Sequence, residues 1–426
     1  METTTKSYYP PNYWKRIVFT FCMGWTIIWV YRAMLSPIYT EIQGTIGEQS
    51  NAAMGFIASC YFFGYTAMQI PSGMLVDKFG QKKILVPGFI IFALGALSIG
   101  FASSLTMIYM GSVLAGIGCG TYYGAAFSLT AEHVPAEKKG IATAIVNSGS
   151  ALGMILGMTG SSFIVKQLGL SWQTMVFIST ALIVFLVGWF IVMIVSPSKA
   201  VHRPEEQVST AVNAQSDVEI EPAEPVAELP KQSLFRKELL ASYLLYFSTC
   251  YAYYLIVTWL PSFLEAERGI TGSMIGIVTS MISVTAVPGA LYFAHMSDKR
   301  KGEKAKIITF LEISAFVLIA LSMFVPNAYL LSGVLLLYGF LGKLAVDPVL
   351  ISYVTDKADP RAVASTLGTF NFFGMSSSVI APALTGYIMD TTGSGEWGFY
   401  IGAIILLIGT VVFMISNRGS VKTAAA

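Results

Sequence analysis

Four ionisable residues lie inside long apolar runs of the sequence: Arg32, Glu312, Lys343 and Asp347. Arg32 lies near the end of the first run, roughly 10 Å below its outer end at the rise of an α-helix. A charge at such depth in a membrane is costly and is by default functional, although a long side chain can also extend to the surface. A guanidinium group binds a carboxylate through two parallel hydrogen bonds. Arg32 is therefore the first candidate for binding an anion.

Lys343 and Asp347 are four positions apart, which places them on one face of a helix. Three interpretations remain open. The two side chains form an ion pair that lowers the cost of burying both, or Lys343 binds a substrate and is released from Asp347 when it does so, or Asp347 carries a coupling proton. Glu312 lies nearer the end of its run, and we expect a structural or interfacial role for it.

Aromatic residues are frequent in the runs that contain these charges. Most aromatic side chains in such runs pack against neighbours, but a buried tyrosine hydroxyl needs a hydrogen-bond partner, which a bound anion can supply. We predict substrate contacts from Tyr31 and from Tyr253 or Tyr254. Asn371 is a further candidate, as a neutral polar contact.

The composition shows what kind of element carries these residues. Of the 426 residues, 54% are hydrophobic and 12% are charged, which is about half the charge of a soluble domain. Each of twelve apolar runs can cross ~30 Å of hydrocarbon. We therefore predict an all-α membrane protein with 12 transmembrane helices in two pseudo-symmetric six-helix bundles. The predicted runs are 15–38, 51–75, 83–102, 105–131, 140–165, 173–196, 238–263, 272–296, 306–325, 329–353, 362–388 and 396–416.

The distribution of basic residues predicts the orientation. Of 26 Lys and Arg residues, all but Arg32, Lys166, Arg268 and Lys343 fall on one side of the predicted membrane, together with both termini. Cytoplasmic loops carry such an excess of positive charge. We expect a multi-pass protein of the inner or plasma membrane with both termini in the cytoplasm.

The chain divides into two parts that resemble each other. Residues 197–235 are rich in Pro, Ala, Val and Glu and predict a disordered cytoplasmic linker. The linker separates an N-terminal bundle at 1–196 from a C-terminal bundle at 236–426. A parallel repeat of six helices is typical of transporters built from two halves.

The loop between the second and third runs reads GMLVDKFGQKK, from Gly73 through Asp77, Gly80 and Lys82 to Lys83. Its glycines permit a tight turn and its lysines predict a cytoplasmic position. It resembles the signature loop of the major facilitator superfamily, G-x-x-x-D-x-x-G-x-[RK]-[RK]. The resemblance implies that these five residues form a latch between the two halves of a transporter, whereas a basic turn that only sets topology is the plainer alternative.

Three further segments resemble the anion:cation symporter branch of that superfamily, which includes sugar-acid and sialic-acid transporters. They are YRAMLS at 31–36, WLPSFL at 259–264 followed by Arg268-Gly269, and DPRA at 359–362. The resemblance implies that Arg32 binds the anionic group of the substrate. The acids that bacterial members use for proton coupling are replaced here by Tyr31 and Cys119, which leaves open facilitated uptake, exchange or another coupling route.

We therefore expect a secondary transporter that moves a small organic anion by alternating access and without a cofactor or metal. The expected partners are the anionic substrate, the lipid bilayer and a coupling proton or sodium ion, as in symport, with no nucleic acid; the protein is expected to be a monomer. Two alternatives remain, a transporter of a neutral or cationic solute with a structural Arg32 and a membrane sensor. An enzyme is not expected, because no nucleophile–base pair or metal cluster can be assembled from the sequence.

Overall fold

The computed structural model describes residues 12–135, 138–195, 234–300, 302–325, 327–359 and 363–418. Within these residues the regular elements are helices and no strand is present. The predicted linker at 197–235 lies outside the described residues, apart from its last two positions. The α-helices are α1 Tyr13–Met34, α2 Tyr39–Ile46, α3 Asn51–Phe79, α4 Gln81–Gly100, α5 Leu105–Gly120, α6 Tyr122–His133, α7 Lys139–Ser161, α8 Trp172–Met193, α9 Lys237–Arg268, α10 Ser273–Lys299, α11 Lys304–Phe324, α12 Ala328–Leu341, α13 Lys343–Lys357, α14 Val363–Thr392 and α15 Gly395–Arg418.

These helices cross between two faces of the molecule twelve times, as the apolar runs predicted. Two crossings are divided, into α5 and α6 and into α12 and α13. Eleven segments of the described residues are long and apolar enough to span a membrane. The helix α3 is not among them, but its 29 residues run between the same two faces. We refer to the face where α1 begins and α15 ends as the termini face, and to the opposite face as the far face.

The tenth crossing is broken directly before Lys343, which its sequence did not predict. The helix α12 ends at Leu341, and Gly342 accepts no side chain because a Cβ there would lie 2.5 Å from the Tyr338 carbonyl oxygen. The Gly342 N–H still donates to that oxygen, at 2.7 Å. Lys343 therefore occupies the first position of a new helix in the middle of the crossing.

Glycines on α7 fix the position of α1. Gly149, Gly153 and Gly157 each face a carbonyl oxygen of α1, so closely that a Cβ would lie 2.2, 2.2 and 2.7 Å from it. Small residues at every fourth position allow helix backbones to approach in this way. This close packing fixes the helix that carries Arg32.

The two halves, α1–α8 and α9–α15, meet mainly towards the far face. There α3 and α14 pack so closely that a Cβ on Gly55 would lie 2.2 Å from the Pro382 carbonyl oxygen. Asn371 reaches Gln69 further along the same pair of helices. Beyond this point, towards the termini face, α3 carries the strongly exposed side chains of Ile70 and Met74. We call the region between the halves, on the termini side of these contacts, the central space.

Candidate functional site

Arg32 lies in the last turn of α1 and is surrounded by aromatic rings. Its Nε donates to the Tyr61 hydroxyl at 3.0 Å, and its Nη2 is buried without a hydrogen-bond partner. The guanidinium carbon lies near the centroids of five aromatic rings, each within the distance of about 6 Å at which a cation is attracted to a ring face. We call these five rings the aromatic cage; the ring centroids lie 5.4 Å (Trp25), 5.2 Å (Trp29), 5.4 Å (Tyr61), 5.4 Å (Phe62) and 4.4 Å (Tyr65) from that carbon.

No carboxylate of the described residues forms an ion pair with Arg32. Cys119 lies beside the Arg32 and Tyr61 side chains. Tyr31 packs its ring edge-on against Phe92, with the centroids 4.9 Å apart. Of the two positions where the resemblance led us to look for acids, Cys119 therefore lies beside the guanidinium group and Tyr31 packs against the cage residue Tyr61, and neither side chain has a carboxyl group.

A small cavity adjoins Arg32 on the side of the far face. Its volume is about 30 Å³, and Tyr31, Ser36 and Ser112 are among the residues that line it. A cavity of this size holds water molecules and is too small for an organic anion.

Lys343 forms an ion pair with Asp347, with Nζ and Oδ2 2.6 Å apart. The side chains are 9% and 21% exposed, so Asp347 is the more accessible of the two. The other carboxylate oxygen, Oδ1, is buried without a hydrogen-bond partner. The Lys343 ammonium also lies 5.5 Å from the ring centroids of both Tyr246 and Tyr253. The ion pair is therefore present, while the question whether it also binds substrate or a proton stays open.

Aromatic contacts connect the two cations across the interface of the halves. The ring of Trp29, which belongs to the aromatic cage, contacts the ring of Tyr253, which adjoins the Lys343 ammonium group. The two ring centroids are 6.4 Å apart. Tyr254 meets Phe62 of the cage at 4.7 Å. The predicted residues Arg32, Tyr253, Tyr254 and Lys343 are thus brought into one central cluster.

Asn371 occupies a different place from the rest of the predicted set. Its amide nitrogen donates to the Gln69 side-chain oxygen at 2.9 Å and so joins α14 to α3. In this conformation it connects the halves. Its contact with a substrate stays a prediction.

The far face is closed by polar contacts between the halves. Lys166, on a π-helical turn after α7, pairs with Glu41 at 2.8 Å and with Glu265 of the other half at 2.5 Å. Thr40 donates to the second oxygen of Glu265 at 3.0 Å. Because Lys166 is buried, this network is protected from solvent and resists screening.

Asp390 makes a second closure at the far face. Its carboxylate oxygens accept from the backbone N–H groups of Asn51 and Ala52, each at 2.8 Å, and from the Asn51 amide at 2.9 Å. These N–H groups belong to the first turn of α3, where a carboxylate is favourable. An acid of the second half therefore caps a helix of the first half.

The predicted latch lies at the termini face. Gly80 adopts φ 86°, a left-handed conformation that favours glycine, and ends α3 directly before α4. Lys82 donates to the carbonyl oxygens of Ile191 and Ile194 at the end of α8, at 2.5 and 2.7 Å. Lys83 is exposed, and a Cβ on Gly73 would meet open space. The side chain of Asp77 lies outside the described residues, so the latch remains a prediction.

Several residues of the site were not singled out from the sequence. The cage residues Trp25 and Trp29 precede Arg32 by seven and three positions, and Tyr61 and Tyr65 are four apart. Both spacings place side chains on one helix face. Aromatic residues three, four or seven positions apart in the helices around Arg32 were therefore a usable signal. The far-face acids had no such signal, because the sequence does not pair α3 with α14.

Twelve crossings in two halves, with the cations Arg32 and Lys343 at their interface, define a polytopic membrane protein with the architecture of a two-bundle transporter. The family model of the Major Facilitator Superfamily matches residues 17–382 and 243–425. The chain belongs to this superfamily, and the predicted fold is confirmed.

Individual proteins are similar to this chain over nearly its whole length. A probable galactarate/D-glucarate transporter of Bacillus subtilis is 26% identical, over 94% of this chain and 93% of the relative. A probable sulfoacetate transporter of Cupriavidus necator is 25% identical, over 93% and 92%. A crystal structure of a bacterial homologue of the human lysosomal transporter Spinster, in an inward-facing and occupied conformation, has a TM-score of 0.77 at 13% identity, covering 96% of this chain and 98% of that one.

Proposed function

We propose that this protein is a secondary transporter that moves a small organic anion across the membrane by alternating access, with Arg32 as the central anion-binding residue. The observation that carries the proposal is the state of the half-buried Arg32 guanidinium group, whose Nη2 is buried without a hydrogen-bond partner and which has no ion-pair partner among the described residues. A buried cation without a counter-ion is costly. A bound anion in the central space supplies the missing charge.

The chemistry of the substrate follows from the two cations. Arg32 offers a fork of donors that matches a carboxylate or a sulfonate, and Lys343 offers a second positive charge on the opposite half. The names of the similar transporters, for a sugar diacid and for a sulfonated acid, describe anions of this kind. A substrate with two acidic groups could be bound by Arg32 and Lys343 together, with Tyr31, Tyr253 or Tyr254 as hydrogen-bonding contacts.

The proposed orientation places the termini face in the cytoplasm of a plasma or inner membrane. The excess of Lys and Arg on that side supports it. The contacts at the far face then lie on the outside, and they support the proposal that this conformation is open to the cytoplasm. A transporter of this class functions as two bundles that rock against each other. We propose that these bundles are residues 1–196 and 236–426, joined by the linker at 197–235. The protein is expected to act as a monomer.

Coupling to a proton or to sodium remains part of the proposal. The Arg32 environment contains Tyr31 and Cys119 and offers no carboxyl group to carry a proton. Asp347 is the candidate nearest to the central space, since its carboxylate is partly exposed and one oxygen has no partner. Symport is therefore proposed through the C-terminal half.

The experiment that tests the function is flux into proteoliposomes that contain the purified protein. D-Glucarate, tartrate and sulfoacetate are compared with an uncharged sugar and with an organic amine of similar size. We expect flux of at least one anion, absent from the Arg32→Met variant and retained in Arg16→Met, which changes an arginine of the same helix near the termini face. Flux of the sugar or amine that survives Arg32→Met would contradict the proposal, and so would a complete absence of flux, the result expected of a sensor.

The latch at Gly73, Asp77, Gly80, Lys82 and Lys83 is tested separately. We expect Asp77→Ala to insert normally and to transport slowly, because the latch stabilises the conformation that is closed at the termini face. The neighbouring change Lys78→Ala serves as the control. Wild-type transport by correctly inserted Asp77→Ala would show that the loop only sets topology.

A further inference from the structure

Glu312 is buried in the C-terminal half, near the middle of α11. It is the ninth residue of the 21 in that helix, and none of its surface is exposed. Among the described residues, Glu312 and Asp347 are the carboxyl groups at mid-depth of the bundle. Asp347 is paired with Lys343, whereas Glu312 has no cation within ion-pair distance in the described part of the chain. Its burial is therefore not explained by a salt bridge.

The hydrogen bonds of Glu312 leave place for a proton on its carboxyl group. Its Oε1 forms a very short hydrogen bond with Thr249 Oγ1 of α9, and its Oε2 is buried without a partner. The same Oγ1 lies 2.9 Å from the Leu245 carbonyl oxygen, which can only accept. A hydroxyl group has one proton to donate. If Thr249 donates to Leu245, then Glu312 must be protonated and donate to Thr249; if Thr249 donates to Glu312, the carboxyl group can be ionised.

The charged neighbours of Glu312 lie on α13, the helix that carries Lys343. Lys343 and Asp347 on α13 act on its charge. The other titratable groups that face it are Tyr338 on α12 and Cys250 on α9, both buried and uncharged when protonated. Lys343 therefore provides the positive charge that can stabilise an ionised Glu312. An anion that binds to Lys343 cancels this charge, so anion binding and proton binding favour each other.

We propose that Glu312 is the residue that binds and releases the coupled proton, with Thr249 as its hydrogen-bond partner. This proposal rests on the proposed function and deepens it. An O–H bond forms on Glu312 with a proton from water on the side from which the anion binds, and it breaks after the loaded protein has reoriented and the anion has left, which returns the proton to water on the other side. One proton then moves in the same direction as each bound anion, and Lys343 and Asp347 transmit the charge of the anion to Glu312.

The first experiment compares Glu312→Gln with wild type in proteoliposomes that contain a pH-sensitive dye. Glutamine keeps the shape and the hydrogen bonds but cannot titrate. The probes are D-glucarate, tartrate and sulfoacetate, each tested for accumulation driven by a pH gradient and for exchange between equal concentrations. We expect Glu312→Gln to lose accumulation and substrate-induced dye response, at least tenfold, while it retains exchange. The control Glu303→Gln, on an exposed carboxyl group directly before the same helix, should retain both.

The outcomes separate this proposal from the proposed function. Accumulation by Glu312→Gln at the wild-type level would overturn the role of Glu312 and leave anion transport intact. Wild-type flux that does not respond to a pH gradient would overturn it as well. A lack of flux of any organic anion by wild type would instead overturn the proposed function.

A second measurement needs no substrate. Infrared spectroscopy at neutral pH detects the C=O stretch of a protonated carboxyl group. We expect such a band in wild type, absent from Glu312→Gln and present in Glu303→Gln. If Glu312→Gln does not fold, Thr249→Val decides, because removal of the hydroxyl partner must shift the frequency of the Glu312 band. A wild-type spectrum without the band, or a band that Thr249→Val leaves unchanged, would overturn the proposal.

Discussion

The two halves of the molecule each place one cation at the central interface, but they treat its charge in opposite ways. Arg32 of the N-terminal half lies among five aromatic rings and has no carboxylate partner among the described residues. In the C-terminal half, Lys343 Nζ lies 2.6 Å from Asp347 Oδ2, and the buried Glu312 interacts with the charges of both residues. The two sites are therefore not equivalent, although the halves share their architecture.

The difference assigns a separate task to each half. Ring faces stabilise the Arg32 cation without neutralising it, so its charge is available to an anion that enters the central space. The Lys343 charge is already compensated, so an anion must compete with Asp347 for it. We propose that the N-terminal half binds the anion and that the C-terminal half undergoes the change of charge that accompanies binding.

The largest effect is expected when one member of the Lys343–Asp347 pair is removed. Lys343→Met alone, or Asp347→Leu alone, leaves a buried charge without its partner and should destabilise the protein by about 3–5 kcal/mol. The double variant should be much closer to wild type, because it leaves no unpaired charge. Thermal unfolding in detergent, together with the yield of folded protein, measures this cycle.

Transport by the same variants distinguishes the three interpretations of the pair. A double variant that is stable and fully active would remove Lys343 and Asp347 from the mechanism, and a stable but inactive one would support substrate binding by Lys343. If Asp347 carries the proton, Asp347→Asn loses accumulation and keeps exchange. The pair Lys304–Asp356 is the matched control, since Asp356 is largely exposed and the pair joins α11 to α13 near the termini face. Its removal should cost about 1 kcal/mol or less.

A smaller effect, on affinity alone, is expected from Arg32→Lys. Lysine keeps the positive charge but loses the planar fork of donors. One hydrogen bond to a charged group contributes about 1.5–3 kcal/mol, so anion affinity should fall roughly ten- to hundredfold. Arg16→Lys on the same helix should leave it unchanged, because Arg16 donates to the Val192 carbonyl oxygen far from the site. Anion binding by Arg32→Lys with wild-type affinity would exclude two-pronged recognition.

The sequence predicted the parts of this architecture that depend on local pattern. Twelve apolar runs and the position of Arg32 follow from hydropathy and charge, which act along the chain. The break before Lys343 was missed, because Gly342 lies within an apolar run and its close approach to Tyr338 is a property of the folded crossing. The Thr249–Glu312 contact joins residues 63 positions apart and could not be predicted without the packing of α9 on α11. For that reason Glu312 was expected to be structural or interfacial, and its complete burial was not foreseen.

The smallest predicted effect concerns Cys119 and tests whether the missing acid defines the N-terminal site. Cys119 lies beside Arg32, so the carboxylate of a Cys119→Glu variant should pair with the guanidinium group and occupy the charge that an anion uses. We expect anion affinity to fall about tenfold, or roughly 1.4 kcal/mol. Cys119→Gln is the matched control, because it has the same size and no charge, and so separates repulsion from the strain of a larger side chain in a buried position. If the two variants bind the anion equally, the difference between the halves does not lie in the missing carboxylate. If only Cys119→Glu is impaired, and its affinity recovers at low pH where the new carboxyl group is neutral, then Arg32 binds the anion because no acid of its own half competes for it.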